Sequence, residues 1–149
     1  MQERNLTIYF TSDLHSYIYP TDYRSQEEKD LGLFKCASQF QKDGNTLVID
    51  GGDLLQGSPL GAFCHDTVGS AAQFAQIMNR CGYDYVTLGN HDFNYGMPYL
   101  DSYLDALRAR CVCENVRWAG GGVRFPARVH VLENGLRIGI VGIVTDYVN

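Results

Sequence analysis

Short apolar runs alternate with helical stripes along this chain. Leu6, Ile8, Tyr9 and Phe10 predict a first strand over residues 5–12. Leu33, Phe34, Ala37 and Phe40 recur at helical spacing and predict a helix over Ser25–Lys42, with Ser25 as N-cap and Glu27 and Glu28 in the first turn. Thr46–Asp50 is nearly all apolar, as a parallel strand covered on both faces would be. Phe74, Ile77, Met78 and Cys81 give a core stripe in a helix over Gly69–Cys81, capped by Ser70 and stopped by Gly82. Tyr83–Leu88 reads as a third strand. Pro98 opens a helix with Leu100, Tyr103, Leu104 and Leu107 buried, and with Arg108 and Arg110 in its last turn. Cys111–Val116 reads as a fourth strand and Trp118–Gly122 as a loop. Glu133-Asn134-Gly135 between Val129–Leu132 and Leu136–Val144 is a hairpin signal.

Three of the strands end alike. The first runs into Asp13-Leu14-His15, the second into Gly51-Gly52-Asp53, and the third into Gly89-Asn90-His91-Asp92. Parallel strands joined by helices place all three endings at one sheet edge, where open α/β sheets collect their ligands. Taken alone, Leu88–Gly96 is equally a polar turn with an incidental histidine. Three consecutive endings of one chemistry decide for a site.

Asp13, His15, Asp53 and Asn90 are the inventory of a divalent-metal site. Carboxylate, amide oxygen and imidazole suit Mn, Fe, Zn or Co better than a soft thiolate-binding ion. Four ligands from three strand ends suit two ions sharing a bridging carboxylate. Such pairs sit ~3.5–4 Å apart and clamp both oxygens of an in-line displacement, as phosphoryl transfer requires. Gly51–Gly61 is glycine-rich but lacks the Gly-Lys-Ser/Thr of a P-loop.

With 149 residues, 45% of them hydrophobic, the chain can build a real core. Its net charge of -5 argues against a nucleic-acid surface. No run approaches a membrane span, so no membrane partner is expected. No signal peptide is evident, and an odd set of five cysteines lacks a disulfide framework. Together these favour a reducing, cytoplasmic setting, with export open if the start was trimmed. Cys36 and Cys81 are expected on apolar helix faces, and Cys111 and Cys113 as buried strand thiols rather than a soft-metal pair. Tyr17, Tyr19 and Tyr23 are expected to pack down their loop, with base stacking as the other reading. His65 and Asp66 fall in a further loop, where a histidine is ordinarily solvated. His130 reads as a strand-surface residue pointing away from Val129 and Val131.

Asp-x-His, Gly-Gly-Asp and Gly-Asn-His-Asp, in this order and approximate spacing, resemble the calcineurin-like metallophosphoesterases. Gly51–Gly61 and Gly89–Gly96 resemble the branch of 5'-nucleotidases and 2',3'-cyclic-nucleotide 2'-phosphodiesterases. The resemblance implies an α/β fold, the N-terminal portion of a four-layer αββα metallophosphoesterase sandwich spanning residues 1–149. It implies two divalent ions (Mn, Zn, Fe, Co or Mg), with Asp13 and His15 on the first, Asp53 bridging and Asn90 on the second. His91 would assist at the reacting phosphate, with Asp92 and Asn94 as orienting residues behind it.

Where the 5'-nucleotidase pattern has an aspartate three residues after the histidine, this chain has Asn94. That version resembles the cyclic phosphodiesterase and 3'-nucleotidase subgroup. A 5'-nucleotidase or sugar-nucleotide hydrolase is the alternative of the same class. A catalytically incompetent fragment acting as a scaffold or binding module is the alternative of another. The family's later Gly-His-x-His segment has no counterpart here. The expected partners are therefore a nucleotide or other phosphate ester and a missing C-terminal part of the same protein. The 149-residue chain alone is expected to be inactive.

Overall fold

The structure is a computed structural model that describes residues 3–25 and 27–146. Four parallel strands make the central sheet, in the order β1 (Thr7–Thr11), β2 (Thr46–Asp50), β3 (Tyr85–Val86) and β4 (Arg110–Cys111). Thr11 pairs with Asp50, and Asp50 with Val86. The first three strands therefore end level, and their following loops leave from one edge.

Strand alternation sorts the side chains onto two faces. Val48 and Val86 face helices α3 (Ala72–Cys81) and α4 (Met97–Ala106), in a core with Ile18, Leu33, Phe74, Met78, Leu100 and Tyr103. Leu47 and Tyr85 face the other way, against Val112, Leu132 and Ile140. That second face is covered by an antiparallel hairpin, β7 (Arg128–Val131) with β8 (Arg137–Ile140). Ile8 and Phe10, on the same side of β1, stay exposed. Strands β5 (Cys113–Arg117) and β6 (Val123–Phe125) form a separate antiparallel ladder. The helix, parallel-sheet and hairpin layers give the expected α/β organisation. No helix among the described residues is long and apolar enough to cross a membrane.

Several elements differ from the pattern reading. The helix expected over Ser25–Lys42 shrinks to α1, Leu33–Ala37. Gly32 stands in front of it at φ 86°, and a Cβ there would lie 2.3 Å from the Tyr19 carbonyl oxygen. The preceding stretch uses its backbone elsewhere: Lys29 N–H donates to Pro20, and Leu33 N–H to Tyr17. Ser25 therefore caps nothing, and its carbonyl accepts from the Thr21 hydroxyl. Cys36 is exposed rather than on an apolar face, and Cys81 is half-buried. The tyrosine loop is packed down as expected, Tyr17 on Tyr23 and Tyr19 edge-on to Phe34.

The glycine-rich loop runs into helix α2 (Pro59–Phe63), capped by the Ser58 hydroxyl. A π-helical turn, Cys64–Val68, follows. His65 and Asp66 thus lie on a helical turn and not in a loop; His65 stacks on Tyr95 at 3.9 Å and bonds Asp66. The third strand is only Tyr85–Val86. The run at 111–116 is split because the chain changes sheets: Val112 N–H donates to Val86, and Glu114 N–H to Gly142. Arg108 and Arg110 lie beyond α4 rather than in its last turn. The last strand stops at Ile140, short of Val144. His130 does point away from the exposed Val129 and Val131, but it faces inward, with Nδ1 3.1 Å from the Tyr85 hydroxyl.

Two glycines with left-handed φ separate strain from contact. Gly82, at φ 78°, has open space, with Lys42 Cδ 3.9 Å from the added Cβ. Gly82→Ala should therefore cost about 1–2 kcal/mol, the left-handed penalty alone. Gly32→Ala should cost clearly more, because the Tyr19 carbonyl must also move. Urea midpoints of the two variants measure the difference, and equal losses would refute the assignment of Gly32 as the helix block.

Candidate metal centre

The level strand ends are continued by backbone bonds beyond the strands. Gly51 N–H donates to Thr11, Asp13 N–H to Gly52, His15 N–H to Asp53 and Ser58 N–H to His15. These bonds zip the 12–16 segment to the 51–58 segment. The tight path puts Asp13, His15, Ser16 and Asp53 at φ between 46° and 61°. Of the five non-glycine residues with positive φ among the described residues, four are here. Such left-handed residues are costly, and they concentrate where surrounding structure over-determines them.

Asp92 supplies that determination. Its carboxylate is buried, and Asp53, Leu54, Leu55 and Gly89 all donate backbone N–H groups to it at 2.9–3.0 Å. Burial pushes the Asp92 carboxyl up from the usual range, and the amide donors pull against that. The second and third loops are thereby joined through one side chain. Gly52 serves that approach: a Cβ on it would lie 2.3 Å from Gly89 N. A Cβ on Gly89 would lie 2.1 Å from Asp53 Oδ1.

Three of the four sequence-predicted ligands come together. Asp13, His15 and Asp53 each offer one ligand atom, and these atoms lie within 4.8 Å of one another. His15 Nδ1 donates to the Gln56 carbonyl at 2.7 Å, which leaves Nε2 facing Asp13 Oδ1 at 3.9 Å. That is the usual way a ligand imidazole is oriented from behind. Asp53 Oδ1 accepts the His91 N–H at 2.8 Å. Asn90 opens the short 3₁₀ turn Asn90–Phe93, half-buried, one residue before that N–H. The His91 ring lies 5.4 Å from the His15 ring, and Asn94 Nδ2 sits 2.9 Å from its Nδ1. Two carboxylates and an imidazole on one edge fit a hard-to-borderline divalent cation.

His65 and His130 do not join this group. Burial pushes the Cys111 thiol up to about 12 and raises Cys113 as well, so both favour the protonated thiol over a ligand thiolate. Two residues escaped the pattern reading. Gln56 touches both histidines' surroundings, through its carbonyl to His15 and its side chain to Asn94. Asp50 is buried under the site; Thr11 Oγ1 donates to it at 2.6 Å and Gly52 N–H at 3.0 Å. Thr11 in turn meets the Tyr83 hydroxyl at 2.7 Å. Burial is the main reason the Asp50 carboxyl rises to about 7, and nearby Asp92 and Asp13 add to it. The only sequence signal for Asp50 was a charge ending an otherwise apolar strand.

The calcineurin-like phosphoesterase family model matches residues 6–145. The trifunctional nucleotide phosphoesterase of Bacillus subtilis is 35% identical over 161 residues, covering 94% of this chain and 11% of the relative. A 2',3'-cyclic-nucleotide 2'-phosphodiesterase/3'-nucleotidase of Yersinia enterocolitica is 34% identical over 120 residues, 75% of this chain and 18% of that protein. Among solved structures, a putative 5'-nucleotidase from Staphylococcus aureus superposes with a TM-score of 0.81 at 31% identity, covering 94% of this chain and 28% of that one. The chain thus spans between a tenth and a third of the length of these relatives.

Asp50 and Asp92 give opposite expectations on substitution. A carboxyl raised from 3.8 to about 7 binds its proton more tightly when folded. Its contribution to stability is complete below pH 4 and is lost as pH rises through 7, on the order of 4 kcal/mol. Asp50→Asn keeps an acceptor for Gly52, and its NH₂ can donate to Thr11 Oγ1 once that hydroxyl turns to donate to the Tyr83 oxygen, without the charge. It should flatten this pH dependence and be at least as stable as the parent at pH 8. Asp92→Asn leaves two of four buried amides without an acceptor and should lose roughly 2–5 kcal/mol. Denaturant midpoints at pH 5 and pH 8 check both. A destabilised Asp50→Asn at pH 8, or a neutral Asp92→Asn, would contradict these roles.

Proposed function

Because the chain belongs to the calcineurin-like phosphoesterase family, we propose that it supplies the N-terminal half of a dinuclear metal site that hydrolyses nucleotide phosphate esters. The subclass that fits best is the 2',3'-cyclic-nucleotide 2'-phosphodiesterase/3'-nucleotidase. One observation carries the reading: Asp13, His15 and Asp53 converge on one edge with the His91 ring beside them.

Two divalent ions, from among Mn, Zn, Fe, Co and Mg, are the proposed cofactors. Asp13 and His15 would hold one, Asn90 the other, and Asp53 both. When bound, such ions act as Lewis acids on phosphoryl oxygens. The remaining ligands would come from a C-terminal part of the same protein. The partner is a nucleotide or similar small ester, and nucleic acid is not expected on an acidic surface.

The chain's own residues divide the work. The Gln56 carbonyl and Asp92 hold His15 and Asp53 in place before any ligand arrives, so little reorganisation is needed at the reacting phosphate. His91 is held at the same edge by its N–H bond to Asp53 and by Asn94 on its ring. It is placed to donate a hydrogen bond or proton to a phosphate oxygen or leaving group. Asp92 is turned inward to the backbone, so it acts by positioning and not at the ester.

The Staphylococcus aureus likeness favours a 5'-nucleotidase as the second reading. Asn94 separates the two. A carboxylate in its place would hold the imidazole protonated; a neutral amide orients the ring without adding charge. That suits esters whose leaving group needs less protonation.

In protein carrying the complete catalytic domain, hydrolysis should be abolished by EDTA and restored by a divalent metal. Asp53→Asn should lose metal from both sites. His91→Ala should keep its metal while turnover falls by ~10²–10⁴-fold, the usual range for general acid–base assistance. In paired assays 2',3'-cyclic AMP should be hydrolysed at least as well as AMP. A clear preference for AMP would establish the 5'-nucleotidase reading instead, and metal-independent turnover would end both.

A further inference from the structure

We propose that Gln56 is a positioning residue for His91: its side chain fixes which way the Asn94 amide faces, and that amide places the proton of the neutral His91 ring on Nε2. The relevance to catalysis rests on the reading of His91 given above, but the geometry does not.

Asn94 Nδ2 lies 2.5 Å from Gln56 Oε1 and 2.9 Å from His91 Nδ1. One amide nitrogen carries two N–H groups, so a single NH₂ reaches both partners. An NH₂ that donates to Nδ1 requires that nitrogen to be bare. The proton of the neutral ring then sits on Nε2, at the edge turned away from Asn94. His91 is thereby a hydrogen-bond donor without having to carry positive charge.

The Asn94 side chain alone cannot enforce this. Turning its amide over exchanges O and N with almost no change of shape, and presents an acceptor to Nδ1. That would select the opposite tautomer. Asn94 Oδ1 is buried with no hydrogen-bond partner among the described residues, so it does not anchor the amide. The anchor is the acceptor on the other side, Gln56 Oε1.

The same residue orients the other imidazole by a different group. The Gln56 main-chain carbonyl accepts from His15 Nδ1, and this leaves His15 Nε2 as the bare nitrogen. The two rings, 5.4 Å apart, are therefore set in opposite tautomers from one residue. His15 offers a lone pair at Nε2, and His91 offers a proton. The next residue, Gly57, keeps this loop against His15; a Cβ there would lie 2.6 Å from His15 Cβ.

Imidazole ¹⁵N–¹H correlation spectra of the full chain, labelled in histidine and recorded at alkaline pH, read the tautomers directly. The parent should show His91 protonated on Nε2 and His15 on Nδ1. Gln56→Ala should mix the His91 tautomers, its preference falling roughly five- to tenfold, about what one hydrogen bond sustains. His15 should not change, because its partner is main chain. Gln56→Glu retains the acceptor and should restore the parent spectrum. His91 protonated on Nδ1 in the parent overturns the proposal, as does an unaltered His91 in Gln56→Ala. A joint shift of both rings overturns it too, since the loop and not the side chain would then be holding His91. Turnover plays no part in this readout. If the phosphoesterase reading fails, metal-dependent hydrolysis is absent while the tautomers stand as stated.

Discussion

The site depends on one buried carboxylate. Asp92 accepts four backbone N–H groups from two separate loops. A charge-assisted bond is roughly twice as strong as a neutral one. Four of them work against the cost of burying the carboxylate and hold a backbone that would otherwise relax. Asp53 sits at φ 59° because its own N–H is one of the four. Its carboxylate is then aimed by a further bond from the His91 amide, in the turn that Asp92 also belongs to. Asp53, His91 and Asp92 are therefore one mechanical unit.

The parallel register makes this arrangement reachable. Thr11, Asp50 and Val86 are level, so Asp13, Asp53 and Asn90 follow within two to four residues of the common edge. Gly52 and Gly89 let the second and third loops touch at backbone distance. Side chains at either position would separate the loops by more than the Asp92 bonds can span. Sheet geometry does the coarse placement, and hydrogen bonds from loop to loop do the fine placement.

The edge that gathers Asp13, His15 and Asp53 was legible in the sequence because its signals are local. A short apolar run followed at once by Asp-x-His, Gly-Gly-Asp or Gly-Asn-His-Asp specifies a strand end and its chemistry within ten residues. The helix at Ser25–Lys42 was misread for the complementary reason. Its apolar spacing is real, but Gly32 is pinned by the Tyr19 carbonyl, and that contact crosses to another segment. Gln56 was illegible in the same way: its role is a bond to Asn94 thirty-eight residues on. Asp50 looked like the end of a strand, and only burial reveals it as a protonatable group beneath the site. His65 was expected to be solvated because nothing nearby in sequence names Tyr95 as its partner.

The charge around this edge is unbalanced. Asp13, Asp50, Asp53 and Asp92 all lie in or under it. The ion pairs formed by lysine and arginine among the described residues go elsewhere: Lys29 to Asp22, Lys35 to Glu28 and Asp30, Lys42 to Asp84, and Arg124 to Asp101. At the edge, among the described residues, the nearest basic group is the His15 imidazole, with Nε2 3.9 Å from Asp13 Oδ1. Carboxylates so close together repel, and proteins answer that by protonating one or by binding cations. Asp50 leans to the first course, since burial raises its carboxyl to about 7 against the pull of its bonds from Thr11 and Gly52. Asp92 is met by four amide donors, although burial still pushes its carboxyl up. Asp13, exposed, and Asp53, half-buried, are left, with the His15 imidazole beside them and its far nitrogen tied to a carbonyl. A divalent cation that bound this group only in the folded chain would add its binding free energy to the stability of the fold.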